Sequence, residues 1–143
     1  MYSHDPMIKI QLDKGALTPI RGHRWDGGLD LYAMEDEIIP VQNRRTFDTG
    51  VHLEIPEGYV GLIRSRSGMM VKHGITTDGT IDAHYTGSIR VCLFNNGLVE
   101  YPVSAGDKIA QLVIVPCLLP RLELVESLEE TDRGDGGFGS TGR

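Results

Sequence analysis

Cysteine is nearly absent, which rules out a disulfide-stapled fold. Cys92 and Cys117 are the only two in 143 residues. Both sit in apolar, strand-like runs, and neither belongs to a Cys-x-x-Cys pair, so buried, reduced thiols in a reducing cytoplasm are the expectation. Positive charge is also in short supply. The 14 Lys and Arg against 20 Asp and Glu leave a formal net charge of -6. Nucleic acids and acidic membranes are held mainly by basic faces, so no direct nucleic-acid or membrane binding is expected. A small anion held by a few arginines and backbone N–H groups is not excluded.

Long apolar runs are missing as well. The longest, Leu112 to Leu119, is broken by Pro116 and is too short to span a bilayer. Met1 to Pro6 shows no basic patch followed by an apolar core, so no signal peptide is expected and the location is predicted to be cytoplasmic. His4, His23, His52, His73 and His84 have no metal-ligand spacing.

What is present is a succession of short strands. Ile8, Ile10 and Leu12 alternate with Lys9 and Gln11, the pattern of a half-buried strand. Leu29 to Met34, Ile38 to Val41, Arg45 to Ile55 with a bend at Gly50, and Tyr59 to Arg64 follow. Only Gly68 to His73 reads as a short helix. Ser88 to Phe94 is the next strand, and Asn96-Gly97 predicts a two-residue hairpin returning through Leu98 to Val103. Lys108 to Val115 and an alternating Arg121 to Leu124 complete the set. Trp25 is expected to serve packing. Strands at regular spacing with almost no helix predict an all-β sandwich or barrel. Residues 1–130 read as one β domain and 131–143 as a flexible glycine-rich arm, since half of the residues from Arg133 to Gly142 are glycine.

Five stretches suit polar chemistry. Gly27 to Ala33 places Asp30 between two leucines, where a carboxylate needs a partner. Arg64-Ser65-Arg66-Ser67-Gly68 puts guanidiniums and hydroxyls at the helix start, suited to phosphate or merely a polar turn. Asp78 to Gly87 isolates Asp82 between Gly79 and Gly87, which can take positive φ and so suit the bends of a hairpin. A turn role and a catalytic role for Asp82 are both open on its local sequence. Gln111 lies within an apolar strand and needs hydrogen-bond partners there. The tail offers Arg133, glycine N–H groups, Ser140 and Thr141 to an anion, and Phe138 as a stacking face.

In this order the five stretches resemble the motifs of the homotrimeric dUTPase family. They read Gly28-Leu29-Asp30-Leu31, Arg66-Ser67-Gly68, Gly79 to Gly87, Gly106 to Leu112, and Arg133 to Gly142. The resemblance implies a jelly-roll-like β fold with sites at the interfaces of a homotrimer. It implies Mg²⁺-assisted hydrolysis of dUTP to dUMP and pyrophosphate, which limits uracil in DNA and supplies dUMP for dTMP synthesis. Asp82 would be the general base for water attacking the α-phosphate. The backbone around Gly79, Thr80 and Ile81 would read the uracil edge, and Tyr85 would pack against the deoxyribose. Arg66, Ser67, Gly68 and Gln111 would meet the phosphates. Arg133, Gly139, Ser140 and Thr141 would close on the terminal phosphate, with Phe138 over uracil. Mg²⁺ would be held mainly by substrate phosphates and water, with Asp30 in its surroundings. Ser65 stands where the family usually has proline, and His84 where it has an acidic or small polar residue. A dCTP deaminase-like enzyme of the same fold and a nucleotide-switched binding module are the alternatives.

Overall fold

The computed structural model describes residues 6–139 and residue 142. Its strands are β1 (Lys9–Leu12), β2 (Gly28–Tyr32), β3 (Glu37–Ile39), β4 (Arg44–Asp48), β5 (Val51–Glu54), β6 (Tyr59–Arg64), β7 (Ile75–Thr76), β8 (Asp78–Ile81), β9 (Arg90–Asn95), β10 (Tyr101–Val103) and β11 (Lys108–Pro116). One helix, α1 (Ser67–His73), follows β6. All strand pairs are antiparallel. A four-stranded sheet runs β2-β11-β6-β8 and a three-stranded sheet runs β4-β9-β7, with β1-β5 and β10-β3 as two-stranded ribbons. No helix among the described residues is long and apolar enough to cross a membrane.

Alternation builds the core. Along β9, Val91, Leu93 and Asn95 are buried while Arg90 and Phe94 face out. Leu31, Ile63, Ile81 and Leu112 of the larger sheet share one cluster with Phe47, Ile75, Val91 and Leu93 of the smaller. Gly61 leaves room for close packing under the larger sheet, since a Cβ there would lie 3.1 Å from both Ile55 and Leu112. Helix α1 contributes Met69 to the core and ends at Gly74, whose left-handed conformation closes the last turn.

Several expectations are corrected. Asn96-Gly97 is not the turn of a hairpin, because β10 pairs with β3 and β9 pairs with β4 and β7. The reason is Asn95, whose buried carboxamide donates to the carbonyls of Ile39 and Val99 and accepts from the Gly97 N–H. The chain wraps around that amide, leaving Leu98 and Val99 exposed and delaying the strand to Tyr101. Leu122 and Leu124 form no strand and are almost fully exposed, because nothing among the described residues covers them. Strand β1 exists, but Ile10 and Leu12 remain exposed. Trp25 is 81% exposed, with the Arg24 guanidinium 4.7 Å above its ring. Cys92 and Cys117 are half-buried free thiols rather than core residues.

The α1–β9 junction yields a stability test. A Cβ at Gly97 would fall 2.4 Å from the carbonyl oxygen of His73, a backbone atom that cannot turn aside. Gly97→Ala is therefore expected to destabilise the protein by roughly 1–3 kcal/mol, read as a lower midpoint in urea unfolding. An unchanged midpoint would mean that the loop yields freely.

Candidate active site

Strand register brings the first, second and fourth motifs together. Asp30 pairs with Gln111, Gln111 with Arg64, and Arg64 with Asp78. These four share one level and one face of the larger sheet, while Leu31, Leu112 and Ile63 beside them point into the core. Gln111 is half-buried, and its Nε2 donates to the Ser65 carbonyl at 3.0 Å, which ties the fourth motif to the second. Gly28 leaves the room for this. A Cβ there would stand 2.1 Å from Gln111 Oε1.

Asp30 is the negative centre of a positive cluster. Its side chain is 17% exposed, 3.5 Å from Lys108 Nζ and 3.9 Å from Arg66 Nε. Arg66 also donates to the Lys108 carbonyl at 3.3 Å. Beside it opens a cleft of about 350 Å³ lined by Arg66, Met69, Tyr101, Gly106 and Lys108, among others. Arg66 and Lys108 bring two cations to the cleft, with the Asp107 carboxylate on its lining and Asp30 behind them, so any fit to a phosphorylated ligand rests on the guanidinium and ammonium donors and not on net charge. Lys108 was within the fourth motif, but nothing in the sequence gave it a role; its place at the head of β11, across from β2, does. Ser65 anchors the strand-to-helix turn against Thr77. Its hydroxyl accepts from the Thr77 N–H at 2.9 Å and donates to the Thr77 carbonyl at 3.1 Å.

The third motif occupies the far end of the same sheet. Strand β8 pairs with β6, not with β9, so no hairpin encloses Asp82. Ile81 is buried as the last anchor, and Asp82 is exposed immediately after it. The chain then turns, with the Tyr85 N–H on the Asp82 carbonyl at 3.2 Å. His84, rather than a glycine, takes the positive φ of this turn, at 70°, and its Nε2 meets Glu57 Oε1 at 2.8 Å. Gly79 and Gly87, which can take positive φ, do not use that freedom here. They are needed for space. A Cβ at Gly79 would press on Ile63 at 3.3 Å, and one at Gly87 would lie 2.7 Å from the Tyr85 hydroxyl. That hydroxyl donates to the Ser88 carbonyl at 2.9 Å, and the ring stays partly exposed in the loop after Asp82.

One chain does not bring the two halves together. Ile81 pairs with Gly61, whereas Asp78 pairs with Arg64. Asp82 leaves the sheet at one end, level with Val60, and Ser65 to Gly68 at the other, five residues or roughly 16 Å apart along β6 at about 3.3 Å per residue. The described part of the fifth motif joins neither. Its described side-chain hydrogen bonds are local, from Arg133 Nε to the Gly136 carbonyl and from the Gly134 N–H to the Thr131 hydroxyl. Phe138 is fully exposed. Ser140 and Thr141, expected to meet phosphate, lie outside the described residues.

A family model described as dUTPase matches residues 15–142. The chain belongs to the dUTPase family. The deoxyuridine 5'-triphosphate nucleotidohydrolase of Clostridium novyi (strain NT) is 44% identical over 139 residues, covering 95% of this chain and 98% of that protein. The corresponding protein of Syntrophotalea carbinolica is 46% identical over 141 residues, covering 94% and 96%. Among solved structures, the Staphylococcus bacteriophage 80alpha dUTPase with dUPNHPP superposes with a TM-score of 0.91 at 33% identity, covering 97% of this chain and all of that one. A dUTPase from phage phi11 of S. aureus, described as revealing the coordination of a structural Mg(II) ion, gives 0.81 at 32% identity over 87% of this chain and all of that one. The jelly-roll-like dUTPase fold expected from the motifs is therefore the observed one.

Proposed function

We propose that this dUTPase-family chain hydrolyses dUTP to dUMP and pyrophosphate at sites that copies of the chain build jointly. The observation that carries the reading is the division of the motifs over the larger sheet. A cleft lined by Arg66 and Lys108 stands at one end, and the exposed Asp82 carboxylate, followed three residues later by the exposed Tyr85, stands at the other. A triphosphate in the cleft of one copy would meet the Asp82 loop of a second. The exposed Leu118, Leu122, Leu124 and Leu128 support association, because the described residues of one chain leave these side chains uncovered. A homotrimer is the assembly this reading takes.

In this arrangement Arg66, Ser67, Gly68 and Gln111 position the phosphates. The edge of β8 at Gly79, Thr80 and Ile81 reads uracil, and Tyr85 packs against the deoxyribose where a 2′-hydroxyl would need room. Asp82 accepts a proton from water as its oxygen bonds the α-phosphorus. The bond from that phosphorus to the bridging oxygen breaks, and pyrophosphate leaves with the electron pair. Residues 131–143 close over the site, with Arg133, Gly139, Ser140 and Thr141 on the terminal phosphate and Phe138 on the base.

The donor set near the cleft fits a metal that arrives on the substrate. Asp30 is already engaged by Lys108 and Arg66, and among the described residues no three metal-ligating side chains cluster. Mg²⁺ held by phosphate oxygens and water would neutralise charge on the leaving pyrophosphate, with Asp30 near its water shell.

A nucleotide panel with product identification tests the reading. With Mg²⁺, the protein is expected to release pyrophosphate from dUTP and to spare dCTP, dTTP and UTP. Comparable turnover of all four, or ammonia released from dCTP, would overturn it.

A further inference from the structure

We propose that His52, outside all five motifs, is a positioning residue that grips the loop after Asp82 through a doubly hydrogen-bonded imidazolium. The inference rests on the reading that this loop takes part in hydrolysis. Strand β5 buries Val51 and Leu53 and turns His52 between them to the outer face. There Nδ1 lies 2.7 Å from the Thr86 carbonyl oxygen and Nε2 lies 2.9 Å from Asp13 Oδ1. A carbonyl oxygen accepts and never donates, and so does an ionised carboxylate. A neutral imidazole carries one N–H and satisfies one of them; only the cation satisfies both.

Both ends of the grip are attached to the fold. Asp13 donates its N–H to the Gly50 carbonyl at 2.8 Å, so the carboxylate is fixed against the β4–β5 turn. Thr86 follows Tyr85 directly, and the next hydroxyl, that of Ser88, donates to Asp48 on β4. The loop is thus held at its distal end from β4 and β5, while its near end continues from β8. Loss of the Thr86 contact would free Tyr85, and through the turn that joins them, Asp82.

The charges around the imidazole favour the cation. Asp13 and Asp48 face it from the β1–β2 connection and from β4. Glu54 of β5 and Lys9 of β1 line the same cleft with Thr86, and Arg90 acts on Asp48 from β9. Three carboxylates thus face two cations besides the imidazole. The Thr86 carbonyl, and after it the Asp13 carboxylate, hold His52 above its ordinary pKa against the opposing effect of burial. Asp48 is held below the usual carboxylate range, chiefly by the Ser88 hydroxyl, and stays ionised while His52 titrates. With a raised pKa in the folded protein, the grip is complete below about pH 6.5 and is lost as pH rises through the folded value.

The test compares the full-length protein with His52→Gln and Asp13→Asn across the neutral range. Glutamine keeps one donor but never carries charge; asparagine keeps the shape of Asp13 and removes its charge. Below its His52 titration, followed by NMR of the imidazole, the wild type is expected to exceed His52→Gln in kcat/KM for dUTP by about three- to tenfold, mostly through KM. That ratio, in which ionisation of the substrate cancels, should fall towards one as pH rises through the titration. In Asp13→Asn, the titration and the fall of the ratio should move to lower pH together. A ratio of one throughout would overturn the proposal. So would a ratio that ignores the His52 titration, or one that stays put when Asp13→Asn moves that titration. Hydrogen exchange at the Thr86 and Gly87 amides supplies a readout independent of turnover, and protection unaltered in both variants would also overturn it. Separately, turnover retained by Asp82→Asn would remove the catalytic reading while leaving the exchange result to judge the grip.

Discussion

Asp82→Asn is expected to retain nucleotide and to lose hydrolysis. The side chain is exposed and follows the buried anchor Ile81, so an isosteric amide leaves β8 in place and the fold intact. What disappears is the proton acceptor, a loss of about 10²–10⁴-fold in kcat for a general base. The other carboxylates of the motifs cannot substitute. Asp30 is engaged between Lys108 and Arg66, and Asp78 sits at the opposite end of β8, 4.0 Å from Arg64. Pyrophosphate release measured beside calorimetric binding of an imido analogue of dUTP separates the two effects. Turnover at the wild-type rate would take the base role away from Asp82, and loss of binding together with turnover would make it a binding residue instead.

The strands were legible where apolar, strand-favouring residues run on for several positions, as in β6, β9 and β11; alternation found β1 but misled at Arg121 to Leu124, which forms no strand. Helix α1 was legible because Met69 to Lys72 show no strand alternation. Strand β7 was not, since Ile75–Thr76 is too short to show any period. The Asn96-Gly97 hairpin misled because local turn preference lost to a tertiary contact, the buried Asn95 amide reaching Ile39 and Val99. For the site, the motifs name residue types in order but not who faces whom. The sheet order β2-β11-β6-β8 is far from the chain order. It alone puts Asp30, Gln111 and Arg64 in one row and sends Asp82 to the other end. Gly79 and Gly87 show a further limit. Glycine in a sequence does not say whether it serves φ or space, and here the neighbours Ile63 and Tyr85 require space. His52 was invisible for the same reason as Lys108: its partners Asp13 and Thr86 are distant in sequence.

Removing the chain from Thr131 onward is expected to leave the fold unchanged and to lower dUTP hydrolysis by roughly 10²-fold, the scale at which loss of positioning acts. The fold should not notice. Every core residue precedes the cut, with Leu112 the last in sequence, and the arm's described hydrogen bonds are internal. Unfolding midpoints should therefore match. The activity should notice, because Arg133 and Phe138 are exposed with no partner elsewhere in the chain's described residues to explain them, and stacking on a base is worth about 1–3 kcal/mol. A truncated chain as fast as the full one would make the arm irrelevant to hydrolysis. Mixing supplies the sharper test. Co-refolded Asp82→Asn and truncated chains each lack one part, yet an assembly of both offers an intact Asp82 from one copy and an intact arm from another. Activity well above either alone is expected if sites are shared between chains. If Asp82 and the arm must come from the same chain, mixing restores nothing, because no chain in the mixture has both.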